Sequence, residues 1–481
     1  MISQDLMAPI MFGGLIVFLL IGYPAAFSLG AVGLFFSFIG IEMGMFQPTF
    51  LQALPDRVFG ILSNDLLLSI PFFTFMGAIL EKCGLAEDML EGLGQLFGPI
   101  RGGLAYAVII VGAILGAITG TVAASVIAMG LISLPIMLRY GYNPRVATGV
   151  IAASGTITQL IPPSLVLIVL ADQLGKSVGD MYAGAIGPSI IQIILFCLFI
   201  LFLSIFRPQD VPALPPEARP KIDWKLFKKI LWGIVPSIAL IFLVLGTILM
   251  GLATPTEGGA MGSVGALVLA AMNKRLQKTL VWDAMTSTMR INAMVIFILI
   301  GSTVFGLAFR GVDGDLWIEH LLSGLPGGQV GFLIVVNLFV FFLAFFLDYF
   351  EIAFIIIPLL APVAQKLGID LIWFGVLLGA NMQTSFMHPP FGFALFYLRG
   401  VAPKSVKSSD IYYGALPWVG LQLILVAIII FVPETVTYFI DKPAIAVDAN
   451  AISVDPLAGV EQNEITVDSS SEIERQLREN K

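Results

Sequence analysis

The sequence is poor in charged residues and in the residue types that bind metals or form disulfides. Only 12% of its 481 residues are charged, and it has two cysteines and two histidines. Cys83 and Cys197 both lie at or within apolar segments, which argues against a disulfide framework or a cysteine metal site. No H-E-x-x-H, G-x-S-x-G or P-loop motif is present. No signature therefore predicts an enzyme or a self-contained ATPase.

Basic clusters that could bind nucleic acid are also missing. The net charge is −7, and much of it comes from the acidic tail at residues 441–481. The N-terminal residues 1–9 contain no Lys or Arg before the first apolar run, so the n-region of a signal peptide is lacking. We interpret that first run as a membrane span that is retained.

Hydrophobic residues make up 58% of the chain, which is more than the core of one soluble domain can bury. Runs of about 20 apolar residues, such as 230–250, are long enough to cross a bilayer. The ten-residue alternation that is typical of trans-bilayer β-barrels does not occur. The composition predicts an all-α polytopic membrane protein.

The first half contains five kinds of apolar segment in a fixed order. They are a helix pair (8–45), a single span (57–81), a segment interrupted at Thr119-Gly120-Thr121 (102–138), a helix broken at Pro162-Pro163 (146–174) and a last helix (181–206). Each arm of the third segment has about 22–26 Å of helix, short of the ~30 Å hydrocarbon core. This favours a re-entrant hairpin with its tip at 119–121, and two short spans remain the alternative.

The same order recurs in the second half. A helix pair (230–252 and 258–272), a single span (291–308), a segment interrupted at 348–351 (330–365), a helix broken at Pro389-Pro390 (371–398) and a last helix (411–431) follow one another. The two Pro-Pro pairs differ by 227 residues, as do Pro135 and Pro362 and also Gly141 and Gly368. Residues 180–185 match 410–415 at an offset of 230. These matches indicate an internal duplication.

Each copy crosses the membrane five times, because a hairpin adds no net crossing. An odd number predicts that the second copy is inverted relative to the first. The predicted organisation is a first repeat (1–206), a connecting segment (207–229), a second repeat (230–435) and an acidic tail expected to be disordered (436–481). Inverted repeats with broken helices at matching positions indicate a secondary transporter with its site near the midplane.

Basic residues orient the chain. The connecting segment 207–229 holds six Lys and Arg residues and is assigned to the cytoplasm. Two crossings later, Lys274, Arg275 and Lys278 return to the same side, in agreement. The first hairpin then opens inward and the second outward, residues 311–328 face the periplasm, and the tail lies outside.

The first hairpin tip and the first broken helix carry an uncharged set of oxygen atoms. The set comprises Thr119, Gly120, Thr121 and Ser125 at the tip, and Ser154, Gly155, Thr156, Thr158 and Gln159 before the break. Helix ends leave backbone groups unpaired, and in a membrane these must face water, a ligand or an ion. Hydroxyl and carbonyl oxygens suit a weakly bound monovalent cation such as Na⁺. The alternative is that the hydroxyls bond only to their own helices.

The second repeat has acidic and amide residues at the matching places. They are Asp348, Tyr349 and Glu351 at the tip, and Asn381, Gln383, Thr384, Ser385 and His388 before the break. Intramembrane carboxylates cost about 2.5–3.5 kcal/mol on insertion scales, so they indicate function or a buried partner. A proton relay through Glu351 and His388 is one hypothesis, and helix capping is another. Gly112, Gly116 and Gly120 share one helix face, which we interpret as packing of the two hairpin arms.

These segments resemble the large membrane subunit of the tripartite ATP-independent periplasmic (TRAP) transporters. The resemblance covers about residues 8–435 and rests on segments 102–130, 152–188 with Leu160-Ile161-Pro162-Pro163-Ser164, 255–260, 348–362 and 373–403. It implies an elevator-type, Na⁺-coupled importer of organic acids in the bacterial inner membrane. It also implies two partners, a small four-helix membrane subunit and a periplasmic substrate-binding protein. No four-helix segment precedes Met1, so the small subunit is expected to be a separate chain.

The resemblance also implies about two Na⁺ ions, each between a hairpin tip and the neighbouring broken helix. The implied ligands are Thr119, Gly120, Thr121, Ser154, Gly155 and Thr158 for one ion, and Asp348, Asn381 and Thr384 for the other. Gln159, Gln383 and His388 are assigned to substrate. Thr119 and Thr121 stand where the family usually has serine.

The transported solute is less constrained by the sequence. Glu351 and residues 382–390 look like those of a subset of the family that is associated with 2-oxo acids, mannitol and haloaromatic acids. The sequence therefore does not identify the solute. A self-sufficient Na⁺- or H⁺-coupled anion symporter, an ion channel and a structural membrane scaffold are the competing classes.

Overall fold

The computed structural model describes residues 4–219, 224–390 and 392–440. Within these residues the structure is helical and contains no strand. Seven of the described helices are long and apolar enough to cross a membrane, or up to nine if each bent pair counts as one span. The prediction of an all-α polytopic membrane protein is confirmed. The predicted tail at 436–481 begins too early, because Val436 is buried and belongs to the helical turn Glu434–Thr437. The rest of that tail, from residue 441 onward, lies outside the described residues.

Among the described residues, the first half contains ten α-helices. They are α1 (Gln4–Ile21), α2 (Ala25–Glu42), α3 (Leu54–Leu62), α4 (Ser69–Lys82), α5 (Leu85–Phe97), α6 (Gly103–Thr119), α7 (Val122–Arg139), α8 (Pro144–Thr156), α9 (Leu165–Leu174) and α10 (Val178–Phe206). Several begin at standard capping residues. Asn143, before α8, accepts a hydrogen bond from the N–H of Arg145 at 3.0 Å, and Pro144 occupies the first helical position.

Two predictions for the first half were wrong in detail. The single span expected at 57–81 consists of two helices, α3 and α4, with a non-helical connection in which Asn64 Oδ1 accepts from the N–H of Leu66 at 2.9 Å. The helix α5 was not predicted. Its apolar residues lie on one face, among them the buried Met89 and Leu93, and acidic residues occupy its first turn. A helix of this amphipathic kind does not produce a continuous apolar run.

In its described part, the second half repeats the layout with nine α-helices and a short terminal turn. They are α11 (Trp224–Ile241, continued by a π-turn to Leu249), α12 (Pro255–Met272), α13 (Lys278–Gly311), α14 (Gly314–Ser323), α15 (Gly328–Leu343), α16 (Tyr349–Lys366, with a π-turn at Ile352–Ile356), α17 (Leu371–Met382), α18 (Phe393–Val401), α19 (Ser408–Phe431) and the turn Glu434–Thr437. The span expected at 291–308 is part of the 34-residue α13. The short α14 was not predicted, and it meets α15 at an angle of 118°.

Helix interruptions occur at the predicted places in both halves. We name the helix pair α6–α7 the first hairpin and the pair α15–α16 the second. That these hairpins re-enter the membrane stays a prediction, since α7 and α16 are each long enough to span it. The first broken helix is α8–α9, with a 3-10 turn at Ile157–Gln159, and the second is α17–α18, with a 3-10 turn at Gln383–Met387. Both Pro-Pro peptide bonds, at 162–163 and 389–390, are cis.

The two halves are packed crosswise. The first part of each broken helix packs against the last helix of the other half: α8 against α19, and α17 against α10. This exchange is the pattern expected of two copies related by a two-fold axis. The long α13 instead packs along α2 and α4, which in turn contacts α12. The hairpins and broken helices therefore meet in the middle of the protein, with α13 along one side.

Candidate ion and substrate site

The first hairpin turns within three residues. Gly120 follows α6 with φ of 61°, a left-handed conformation that favours glycine, and its N–H donates to the carbonyl of Gly116 at 3.2 Å. Thr121 is extended and precedes α7. The hydroxyl of Thr119 donates to the carbonyl of Leu115 at 2.9 Å and lies 3.1 Å from the hydroxyl oxygen of Ser125. The tip is thus a compact, uncharged turn with its oxygen atoms close together.

The first broken helix lies directly against this hairpin. A Cβ placed on Gly112 would be 2.7 Å from the Cβ of Ser154, and one on Gly116 would be 3.0 Å from the Cα of Thr158. The glycine stripe therefore packs α6 against the broken helix, and our prediction that it packs the two hairpin arms was wrong. Small residues there allow the backbones to approach closely.

The polar side chains of the first broken helix differ in how they are bonded. The hydroxyl of Thr158 donates to the carbonyl of Gly155 at 3.0 Å, which leaves its lone pairs available. The hydroxyl of Ser154 and both polar atoms of the Gln159 amide are buried and lack a hydrogen-bond partner among the described residues. Buried polar atoms without partners are uncommon, and a ligand is one explanation for them.

The second hairpin tip is held by a capping box. The carboxylate of Asp348 accepts from the N–H of Glu351 at 2.9 Å, and the carboxylate of Glu351 accepts from the N–H of Asp348 at 3.0 Å. At the internal offset of 227, Asp348 corresponds to Thr121, and both residues are extended and immediately precede a helix. The capping hypothesis accounts for the contacts of both acidic groups.

The second broken helix contacts the first arm of its own hairpin, as the first one does. The Asn381 amide donates to the backbone carbonyl of Asn337 at 2.8 Å and to its side-chain oxygen at 3.1 Å. The hydroxyl of Thr384 donates to the carbonyl of Asn381 at 2.7 Å. The side-chain oxygens of Asn381 and Ser385 are buried and accept no hydrogen bond from a described residue.

Sequence reasoning missed Asn337 and undervalued Ser385. At the offset of 227, Asn381 corresponds to Ser154, and Ser385 rather than Thr384 corresponds to Thr158. The offset of 227 residues is visible in the sequence and served there as evidence for the duplication, but it was not used to choose the ligands of the second ion. Asn337 gave no such signal, because it lies alone in the apolar α15.

A cavity of about 330 Å³ lies between the two hairpin tips. Its walls include Gly120–Ala123 from the first tip and Asp348–Phe350 from the second. Four helices begin at this cavity, since the first residues of α7, α9, α16 and α18 all line it: Val122, Leu165, Tyr349 and Phe393. Gln159, Val166, Ile291, Met294, Phe386 and Tyr397 complete the lining. The N-terminus of a helix carries partial positive charge and free N–H groups. The N-terminus of α16 is capped by the Asp348 carboxylate, whereas α7, α9 and α18 have no side-chain cap, so these three together favour an anion.

The three residues assigned to substrate lie in different surroundings. Gln159 lines the cavity. Gln383 is not part of its wall, and its amide is hydrogen-bonded to that of Gln192 at 2.8 and 3.3 Å. The His388 ring packs against Phe341 and Phe345, at centroid distances of 4.3 and 4.2 Å, and its nitrogens bond to no described residue.

Comparison with known proteins places the chain in a family. Residues 12–435 match the family model described as tripartite ATP-independent periplasmic transporter, DctM component. The chain belongs to this family. It is therefore a permease subunit of a transporter and not an enzyme, and the resemblance inferred from its motifs is confirmed.

Individual relatives of the DctM family align over most of the chain. A C4-dicarboxylate TRAP transporter large permease protein of Rhodobacter capsulatus is 29% identical, over 89% of this chain and 97% of its own length. An isethionate TRAP transporter permease protein of Oleidesulfovibrio alaskensis is 26% identical, over 90% of this chain and 66% of its own length. A sialic acid TRAP transporter permease protein of Haemophilus influenzae is 24% identical, over 88% and 66%.

A solved structure shares the fold. The YdaH transporter of Alcanivorax borkumensis superimposes with a TM-score of 0.56 at 16% identity, covering 79% of this chain and 86% of that one. At this identity the likeness shows the fold alone.

Proposed function

We propose that this chain is the permease subunit of a Na⁺-coupled importer that carries a small organic acid across the bacterial inner membrane. The observation that carries the proposal is the convergence of four helix N-termini, three of them without a side-chain cap, on one cavity between the two hairpin tips. Helices that are interrupted at mid-membrane direct such termini at the anionic groups of substrates in other secondary transporters.

The cavity suits a small carboxylate in size and in charge. Its volume of about 330 Å³ is at the low end of the range of ligand pockets. Its lining contains no Lys, Arg or His and one carboxylate, that of Asp348. An anion bound there depends on helix N-termini, on the Gln159 amide and on co-bound cations, which accounts for coupling to a cation. The relatives described above are named for organic anions, which supports this substrate class.

Two cation sites are supported by buried oxygen atoms at equivalent positions. The side-chain oxygens of Ser154 in one repeat and Asn381 in the other accept no hydrogen bond from a described residue. Thr158 and Thr384, which is one residue before the position equivalent to Thr158, donate their hydrogens to carbonyls, which leaves hydroxyl lone pairs to face a cation. Neutral oxygens of this kind suit Na⁺. Within the described residues no group of three or more His, Cys, Asp or Glu side chains could hold a metal.

The two ions are transported with the substrate and are not resident cofactors. We propose that Thr119, Gly120, Thr121, Ser154, Gly155 and Thr158 surround one ion. Asp348, Asn381 and Thr384 surround the other, together with Ser385. The proposed import further requires a small membrane subunit and a periplasmic binding protein, and the word "tripartite" in the family's description supports a transporter of three components.

Uptake into proteoliposomes tests this function. The permease is reconstituted with and without its small subunit, its binding protein and an inward Na⁺ gradient, and uptake of radiolabelled organic acids is measured. We expect uptake only when all of these are present. Uptake by the isolated chain would instead support a self-sufficient symporter, and current without a solute gradient would support a channel.

A further inference from the structure

A second polar cleft lies farther along the helices that form the candidate cavity. It has a volume of about 360 Å³ and is bounded by α3, by the end of α9, by the C-terminal part of α13 and by α16. Two arginines line it, Arg57 from α3 and Arg310 from α13. It is separate from the cavity between the tips, and the two share no lining residue.

The two spaces are stacked along three helices in the same order. On α9, Leu165 lines the cavity and Asp172 lines the cleft, seven residues or about 10 Å later. On α13, Met294 lines the cavity and Ser302 the cleft, eight residues or about 12 Å later. On α16 the cavity is lined by the first two residues, and the cleft by residues 354–359. The cleft therefore lies about two helical turns beyond the cavity, toward the side assigned to the periplasm.

The charges of the cleft are unbalanced toward positive. Neither Arg57 nor Arg310 forms an ion pair with a described residue, and both side chains are exposed. The carboxylate that lines the cleft, that of Asp172, already accepts hydrogen bonds from two amides. It accepts from the amide of Asn64 at 2.7 Å and from that of Gln173 at 2.9 Å. Two guanidinium groups thus face one concave space with their hydrogen-bonding capacity unused.

We propose that this cleft is an outer binding site for a small carboxylate anion, held by Arg57 and Arg310. Guanidinium groups pair with carboxylates through two parallel charge-assisted hydrogen bonds. The site rests on the proposed function for its role, which is to hold the substrate anion before it passes to the cavity between the tips. The cavity itself lacks basic side chains, so the cleft supplies the positive charge that draws an anion to this end of the path.

The concave shape favours a small anion over an acidic protein surface. Besides the arginines, the walls include Ser302, Thr303 and Gly306 of α13, opposite Phe354 of α16. These residues enclose a volume suited to a ligand of a few carbon atoms. An acidic segment of a binding protein is the competing occupant, and the experiment separates the two.

Gly306 provides a reporter position inside the cleft. A Cβ on Gly306 would meet no atom within 4 Å, so Gly306→Cys fits without displacing its neighbours. The variant is made in a background with Cys197→Ala, because Cys83 is buried and Cys197 is only partly so. In the purified permease complex, the rate at which a thiol reagent modifies the cysteine is measured at increasing concentrations of acetate, succinate or benzoate. Chloride at equal ionic strength is the reference. Thr303→Cys serves as a second reporter.

We expect at least one carboxylate to slow the modification in a saturable way. Arg57→Gln and Arg310→Gln should each raise the half-protecting concentration about tenfold, whereas Arg101→Gln, an exposed arginine outside the cleft, should leave it unchanged. Absence of protection by all three anions, or protection that survives both substitutions, would overturn the proposal. The proposal would also be overturned if the two substitutions weakened the affinity for the binding protein but left protection by carboxylates unchanged. The assay needs neither Na⁺ nor transport, so a failed uptake experiment leaves its result standing.

Discussion

The amide groups of Gln192 and Gln383 face each other across the boundary between the two halves of the protein and exchange hydrogen bonds at 2.8 and 3.3 Å. The equivalent contact joins Gln422 to Thr156 at 3.0 Å. Gln192 corresponds to Gln422 at the offset of 230, and Thr156 to Gln383 at 227. One polar contact therefore occurs twice, and each copy attaches a broken helix to the last helix of the other half.

These contacts predict a strong coupling in stability. Gln192→Leu leaves the buried Gln383 amide without its partner and should destabilise the protein by about 1–3 kcal/mol. Replacing both residues by leucine should recover much of that loss, because no unpaired polar group remains. Thermal unfolding of the purified single and double variants measures the effect. Additive losses in the double variant would show that the two amides do not depend on each other.

The cation sites predict a change in Na⁺ dependence without unfolding. Thr158→Val removes one hydroxyl at nearly constant shape, and a contact worth about 1–1.4 kcal/mol would raise the half-saturating Na⁺ concentration about 5–10-fold. Asp348→Asn should act in the same direction on the second site. Ser204→Ala is the control, since its hydroxyl bonds to Ile200 and Arg101 on α10 and the α5–α6 connection. Unchanged Na⁺ titrations for both variants would remove these residues from the sites.

The first hairpin tip should be sensitive to a single methyl group on α4. A Cβ on Gly77 would lie 2.1 Å from the carbonyl oxygen of Thr119, which is far inside contact distance. Gly77→Ala should therefore displace the tip and lower Na⁺-dependent uptake at least several-fold. Gly30→Ala, on α2, meets no atom within 4 Å and should be neutral. Equal uptake by both variants would show that α4 does not constrain the tip.

The capping box distinguishes a structural role of Glu351 from a proton relay. Glu351→Gln keeps an oxygen that can accept from the N–H of Asp348, so uptake and its pH profile should persist. Glu351→Leu removes the acceptor and should cost about 0.3–1.5 kcal/mol of stability. The relay hypothesis instead predicts that both variants, and His388→Gln, lose uptake in the same way. The pH dependence of uptake by the three variants decides between them.

The orientation is tested by labelling. Ser323, at the end of α14, and Pro215, in the connecting segment, are both exposed. A cysteine at Ser323 should react with an impermeant thiol reagent added outside intact cells, and one at Pro215 should react only after the membrane is opened. The reverse pattern would invert the assigned topology and would move the arginine cleft to the cytoplasmic side.

The sequence by itself determined the class of the protein, the order of its main apolar elements and the interruptions of the two hairpins and the two broken helices. Apolar runs must be spans because the bilayer is their solvent, and Gly120, Asp348 and the two Pro-Pro pairs interrupt helices for local backbone reasons. The amphipathic helices α5 and α14 were not predicted from the sequence, since their apolar residues form one face rather than a continuous run.

Only the tertiary structure decided which oxygens stay unpaired and which surfaces meet. The spacing of residues along the chain does not reveal that Gly112 packs against Ser154. Nor does it reveal that Asn381 is hydrogen-bonded to Asn337, or Gln383 to Gln192. Arg57 and Arg310 are 253 residues apart and meet only because α3 and α13 bound the same cleft. Contacts of this kind depend on how helices from both halves pack, and that packing is set by the whole set of buried faces rather than by any one segment.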